Sequence, residues 1–236
     1  MINNLKPFNT ASSQISKLAV ISAALKIKDP YTLGHATRVA IYASYLAQQL
    51  GLPRTYVENI RLGGLLHDIG KIGLSDQVFN NTNRQLSEEL LTEVQRHPQI
   101  GATLLKNFNF PAAVIDYVLY HHEKMDGSGY PSGLKSNQIP LGAKVIRVTD
   151  CFDAITTDRP YQPHKSTIEA LAILRQISGT DLCPQLVEVF IEGIKESGRA
   201  QNMTRPTWYA APQGSVVNSH HHRGSETNSV NSGFLL

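Results

Sequence analysis

From Ser12 to Glu196 the apolar residues of this chain recur at the spacing of a helix face, and proline, glycine or Ser/Asn clusters separate the runs. No run alternates with a period of two, so the expected fold class is all-α. With 236 residues and 41% hydrophobic content, the chain can bury one sizeable core. That predicts a single helical bundle domain over 1–198 and no second folded domain. After Gly198 the composition turns to Ser, Asn, Gly and Pro, as in "PQGSVVNSHHHRGSETNSVNSG". Too little apolar surface is present there to offset the ordering of the chain, which predicts a disordered polar tail over 199–236. The triplet His220, His221 and His222 reads as part of that solvated, low-complexity segment.

A net charge of +3 and a pI near 8.8 are mildly basic, which suits an anionic small molecule. No Lys/Arg run marks a stripe for a nucleic acid polymer. The apolar stretch Leu18 to Ile27 is interrupted by Ser22 and Lys26 and lacks a charged leader or a cleavage site. It reads as neither signal peptide nor transmembrane helix, so a cytoplasmic protein without membrane attachment is expected. Cys151 and Cys183 lie in periodic segments and read as small buried hydrophobes of a reduced cytoplasm.

Histidines fall where the periodicity demands apolar residues. A helix over Tyr31 to Leu50, ended by Gly51, has the stripe Val39, Tyr42, Ala43, Leu46 and Leu50, and His35 lies one turn before Val39. A second helix, with Pro53 at its first position and Gly70 as its stop, aligns Tyr56, Ile60, Gly63 and His67, with Asp68 beside the histidine. Ser87 is the expected N-cap of a third, with Leu86 and Leu91 as a hydrophobic staple; Leu90, Val94 and His97 then share a face until Pro98 ends it. In "YVLYHHEKMDGSGYPSG", a helix from about Pro111 aligns Val114, Val118, His121 and His122, and a fifth sets Asp150 on the stripe of Ala143, Ile146 and Ala154.

Each such histidine alone reads as a hydrogen-bonded core residue. Together, five imidazoles and two carboxylates buried without shared compensation would carry a large desolvation cost. A common cationic partner resolves it, and that partner is a metal cluster. A carboxylate has two oxygens with which to bridge two ions, which makes Asp68 the bridging candidate.

The motifs "LLHDIGKIG", "RHPQIG", "HHEKMDGSGYP" and "VTDCFDAITTDRPY" resemble, in order and spacing over about residues 30–165, the HD-GYP family of the HD metal-dependent phosphohydrolase superfamily. The resemblance implies a phosphodiesterase that hydrolyses cyclic di-GMP to pGpG, with onward hydrolysis to GMP open, by a hydroxide bridging two divalent ions, iron or manganese. It implies His35, His67, Asp68 and Asp150 on one ion, with Asp68 shared, and His97, His121 and His122 on the other. Lys71 resembles a phosphate contact and joins Asp68 as a catalytic residue. Arg159 and Tyr161 resemble a substrate-binding pair. The loop of Asp126, Gly127, Gly129, Tyr130 and Pro131 is expected to shape the site, and Gly129-Tyr130-Pro131 to offer a surface to a protein partner; Asp126 equally reads as a turn residue. A homodimer stays open.

Three departures from the family pattern bear on these expectations. Tyr31 stands where the family often has a glutamate, so two ions rather than three are expected. Gln162 replaces a basic residue after Tyr161, leaving His164 or Lys165 to contact the substrate. The stretch "VFNNTNRQLSEE" lacks the usual Lys-Pro-Gly turn, which alters the loop beside the cleft. About thirty residues precede His35, fewer than the sensor domain common in the family, so the expectation is either a fragment or regulation by another chain. Two other readings stay open: a phosphohydrolase of another nucleotide or cyclic dinucleotide, and a non-catalytic cyclic di-GMP sensor. The complete ligand set favours catalysis. Removal of residues 205–236 is expected to leave far-ultraviolet helicity and turnover unchanged, because every expected ligand precedes them; a cooperative loss of helicity would show that this segment packs on the core.

Overall fold

Proline, glycine and serine mark the helix boundaries in the computed structural model, which describes residues 23, 30–80, 86–158 and 164–201. The helices are α1 (Pro30–Gln49), α2 (Arg54–Leu66), α3 (Asp76–Phe79), α4 (Glu88–Val94), α5 (His97–Asn107), α6 (Ala112–Tyr120), α7 (Leu141–Thr156), α8 (Thr167–Gln176) and α9 (Pro184–Gln201). Short 3-10 turns cover Ile69–Gly73 and Ser136–Gln138. Among the described residues the only pairing of β type is an isolated bridge between Ser178 and Leu182, so the all-α expectation holds. Ser87 caps α4 by accepting from the Leu90 N–H at 3.3 Å, and Ser166 with Glu169 forms a capping box on α8. Gly51 takes φ 67° after α1, a conformation that glycine adopts without a Cβ clash.

Helix α7 runs through the middle of the bundle: from Gly142 to Ile155 every residue except Lys144 is buried. It packs on α1, α2, α6, α8 and α9. The larger core joins Val39, Leu46, Ile60, Ile146, Phe152 and Phe190, and a second core of Leu66, Ile69, Leu105, Phe110, Val114 and Val118 fills the space between α2, α5 and α6. Helices α1 and α2 approach closely because Gly64 faces the Ala40 backbone, where a Cβ would stand 3.1 Å from the Ala40 Cα. No helix among the described residues is long and apolar enough to cross a membrane.

Several expected boundaries shift for local reasons. Pro53 lies just outside α2 as its N-cap residue, and α2 stops at Leu66, where the chain tightens into the 3-10 turn instead of continuing to Gly70. Val57 takes the inward position and Tyr56, about 100° round the helix from it, is 52% exposed. His97 opens α5 rather than ending α4, because Pro98 fits the first turn of a helix, where its missing N–H has no partner to lose. Helix α9 continues to Gln201, past the expected boundary at 198. Cys151 is buried, and burial pushes its thiol up to about 11, but Cys183 sits half-buried in the turn before α9 with its thiol on the Gln185 Oε1. The stretch Leu18 to Ile27, apart from residue 23, lies outside the described residues, as do 202–236.

Gly70 is where the 3-10 turn meets α5. A Cβ there would strike the His97 carbonyl and stand 2.6 Å from the Gly101 amide nitrogen, both rigid backbone groups. Gly70→Ala is expected to destabilise the protein by about 1–3 kcal/mol, measured as a lowered urea midpoint, because overpacking must displace the start of α5.

Candidate metal centre

The seven expected ligands converge. Three overlapping sets of donor atoms, each set within 4.8 Å, comprise His35, His67 and Asp150; His67, Asp68 and His121; and His97, His121 and His122. All seven residues are buried. Asp68 stands between the outer sets, with Oδ1 3.4 Å from the His97 Nε2 and Oδ2 3.5 Å from the His67 Nε2 and 4.0 Å from the His35 Nε2.

Helix ends hold the rings. The last-turn carbonyls of a helix have no intrahelical donor, and here the Nδ1 atoms of His67, His97 and His121 lie 2.8, 2.7 and 2.7 Å from the carbonyls of Gly64, Val94 and Val118. A carbonyl only accepts, so each Nδ1 carries the proton and each Nε2 presents a lone pair to the centre. His35, on α1, is held instead by Asp153, whose Oδ2 accepts from Nδ1 at 2.7 Å. Arg38 in turn grips Asp153 through Nε at 2.6 Å and a terminal nitrogen at 2.9 Å.

This arrangement fits a cation. The Nε2 atoms of His97 and His121 stand 3.3 Å apart with no proton between them, two lone pairs facing each other. The Nε2 atoms of His35 and His67 are also 3.3 Å apart, and that of His35 is 3.2 Å from Asp150 Oδ1. Burial alone would lower the His35 pKa, but hydrogen bonds to Asp150 and Asp153 outweigh it and raise the pKa to about 9. Burial likewise opposes the charge on Asp68, yet Lys71 and the surrounding histidines hold its carboxyl well below the usual range, and His35 does the same for Asp150. Burial pushes His97 down to about 4, and His121 and His122 well below the ordinary value. At neutral pH the centre therefore holds anionic carboxylates and neutral imidazoles at His97, His121 and His122, while without a metal His35 carries a proton that an arriving cation would displace; together they make a donor set for divalent transition metals.

Lys71, on the 3-10 turn, places Nζ 2.8 Å from Asp68 Oδ2, so its ammonium is held at the centre. Arg159 and Tyr161 lie outside the described residues, and so does the side chain of Tyr31. Lys165 lines a cleft of about 290 Å³ with Arg38, Asp153 and His164. None of the seven ligands lines that cleft, and Asp153 separates it from His35. Asp126 behaves as a turn residue, its Oδ1 accepting from the Ser128 N–H at 2.8 Å. Gly129 approaches the His122 carbonyl, where a Cβ would lie 2.5 Å away, and the Tyr130 ring stacks on His122 at 4.7 Å between centroids. The aromatic of this loop thus faces the centre.

Four functional residues escaped the sequence reading. Asp153 lies three residues after Asp150, one helical turn, and this spacing carries the signal. Arg38 lies three residues after His35 on α1 in the same way. Glu123, 2% exposed, accepts from the Ser132 and Leu134 N–H groups at 2.7 and 2.9 Å and so anchors the loop after His122. Arg147, 2% exposed, reaches the Nδ1 of His122 at 3.2 Å. Neither Glu123 nor Arg147 had a pattern to reveal it.

A family profile described as HD domain matches residues 19–186. A cyclic di-GMP phosphodiesterase of Pseudomonas aeruginosa is 40% identical over 171 residues, 72% of this chain and 41% of the relative. A 3′3′-cGAMP-specific phosphodiesterase of Vibrio cholerae is 35% identical over 158 residues, 67% of this chain and 34% of the relative. The crystal structure of a cyclic GMP-AMP specific phosphodiesterase of Vibrio cholerae superposes with a TM-score of 0.62 at 21% identity, over 83% of this chain and 51% of that one, and shares the fold. The chain spans less than half the length of the curated relatives it matches.

The shifted histidines give the metal-free protein a stability optimum. His97 has a folded pKa of about 4 against 6.5 in the unfolded chain, so the unfolded state binds more protons between those values and stability falls as pH drops through that window. His35, at about 9 against 6.5, contributes stability that is full below 6.5 and is lost as pH rises through 9. In excess chelator, urea midpoints are expected to peak near pH 6.5, and His35→Gln to remove the alkaline limb.

Proposed function

The chain belongs to the HD domain family, and we propose that it is a metal-dependent phosphodiesterase that opens cyclic di-GMP to linear pGpG. The observation that carries this reading is the placement of Asp68 between two sets of three buried donors. His35, His67 and Asp150 would hold one divalent ion, and His97, His121 and His122 the other, with Asp68 shared. Mixed imidazole and carboxylate donors suit iron or manganese. When bound, two such ions supply an activated water for in-line attack on phosphorus and neutralise charge on the phosphoryl oxygens.

The protein's own groups prepare that chemistry. Carbonyls and Asp153 orient four of the five rings, His35, His67, His97 and His121, so none of these must turn when an ion arrives. Lys71 keeps Asp68 ionised and, with its side chain 18% exposed, extends its ammonium from Asp68 towards an incoming phosphate. Arg159 and Tyr161 are assigned to the nucleotide, and Lys165, with Arg38 beside it, gives the neighbouring cleft cationic side chains for its second phosphate. Two relatives named for cyclic di-GMP hydrolysis and for 3′3′-cGAMP hydrolysis support the substrate class, cyclic dinucleotides, and the second keeps 3′3′-cGAMP as the alternative substrate.

Anaerobic incubation of the Fe²⁺- or Mn²⁺-loaded chain with cyclic di-GMP, 3′3′-cGAMP and cyclic di-AMP, followed by separation of linear products, tests the reading. Turnover of cyclic di-GMP is expected to be fastest; binding without product would make the chain a sensor. Lys71→Ala is expected to keep its metals and lose roughly 10²–10³-fold in rate, the value of one donor to transition-state charge. Asp68→Ala is expected to lose metal as well. Loss of metal in Lys71→Ala would overturn this division of roles.

A further inference from the structure

Arg147 sets a permanent positive charge against a histidine of a cluster built to receive cations. Its side chain is 3% exposed, one terminal nitrogen lies 3.2 Å from the His122 Nδ1 and the other 3.4 Å from the Asp181 Oδ2. Its Nε is buried without a hydrogen-bond partner. Asp181 does not fully compensate it, because the same carboxylate also receives the Lys124 ammonium at 3.1 Å. Two cations thus share one acid beside the centre.

The hydrogen-bond roles follow from chemistry. A guanidinium has donors only, so the His122 Nδ1 must accept from it. A neutral imidazole has one lone pair, and in His122 that lone pair faces Arg147, which leaves the ring proton on Nε2. His67, His97 and His121 are the reverse, each protonated on Nδ1 by its bond to a carbonyl, and His35 likewise holds a proton on Nδ1 against Asp153. His121 and His122, adjacent in sequence, carry opposite tautomers.

We infer that Arg147 competes with the second divalent ion for the lone pair of His122, and so splits metal loading into a tight step and a weak one. The tight step uses His35, His67, Asp150 and Asp68. In the weak step His97 and His121 hold the ion, and His122 joins only as Arg147 withdraws towards Asp181. The inference rests on the two-metal reading of the centre. Asp181 also ties this switch to the loop after His122: its carbonyl accepts from the Met125 N–H at 3.4 Å, and that of Thr180 from the Asp126 N–H at 3.0 Å.

The test uses the full chain in chelator-buffered Mn²⁺, with free Mn²⁺ followed by electron paramagnetic resonance. The unmodified chain should bind two ions in separated steps. Arg147→Met should tighten the weaker step by about tenfold or more and leave the stronger one unchanged. An unchanged or weakened second step in a folded Arg147→Met protein overturns the inference. Nitrogen-15 correlation spectra of the unmodified chain at substoichiometric Zn²⁺ decide the matter if that variant does not fold. His122 should then show its proton on Nε2 and His121 on Nδ1; a His122 protonated on Nδ1 overturns the inference. Both readouts are independent of turnover, so a chain that loads two ions but hydrolyses nothing defeats the catalytic reading alone, whereas one that binds no Mn²⁺ defeats both.

Discussion

Three histidine rings are fixed by carbonyl groups that helix ends leave without donors. Gly64, Val94 and Val118 each accept from the Nδ1 of the histidine three residues later, and one bond settles both the orphan acceptor and the ring's tautomer. The consequence is a convergence of lone pairs that is unfavourable by itself, most plainly where the Nε2 atoms of His97 and His121 oppose each other at 3.3 Å. Local helix termination thereby creates a demand for a cation at the centre of the bundle.

The carboxylates answer to the same constraint from the opposite direction. Helix α7 is buried along nearly its whole length, so Asp150 and Asp153 have no solvent to stabilise their charge and depend on His35 and Arg38. Asp150 faces the donors of the centre, while Asp153, one turn later, supports His35 from behind. That division separates a residue able to touch a metal from one that orients the residue touching it, although both belong to the same "TDCFD" motif.

The loop after His122 is joined to the centre through side chains that the backbone geometry makes hard to replace. Glu123 collects two N–H groups of the loop, Gly129 lets it pass against the His122 carbonyl, and Tyr130 covers the His122 ring. Arg147 completes the enclosure from α7. His122 thus differs from the other four histidines, because a charged side chain rather than a carbonyl or a carboxylate decides which nitrogen is free. Any partner of the loop would meet its rim, since the Tyr130 ring faces inward.

The helical class, the central α7 stripe and the inward direction of His35, His67, His121, His122 and Asp150 were legible because a 3.6-residue period converts sequence spacing directly into direction. His97 was legible as an inward residue but not as the start of a helix, since a proline reads equally as an end and as a first turn. The termination of α2 at Leu66 was hidden for a related reason: Gly70 marked a stop, whereas the chain tightens into a 3-10 turn before reaching it. Asp153, Arg38, Glu123 and Arg147 owe their roles to partners on other elements or across a loop, such as the pairing of Arg38 with Asp153 across 115 residues. Sequence determined that the five histidines, Asp68 and Asp150 enter the interior, because periodicity is a local property; which nitrogen or oxygen each one presents, and to what, was decided only by tertiary packing, because that choice depends on the neighbour supplied by a distant part of the chain.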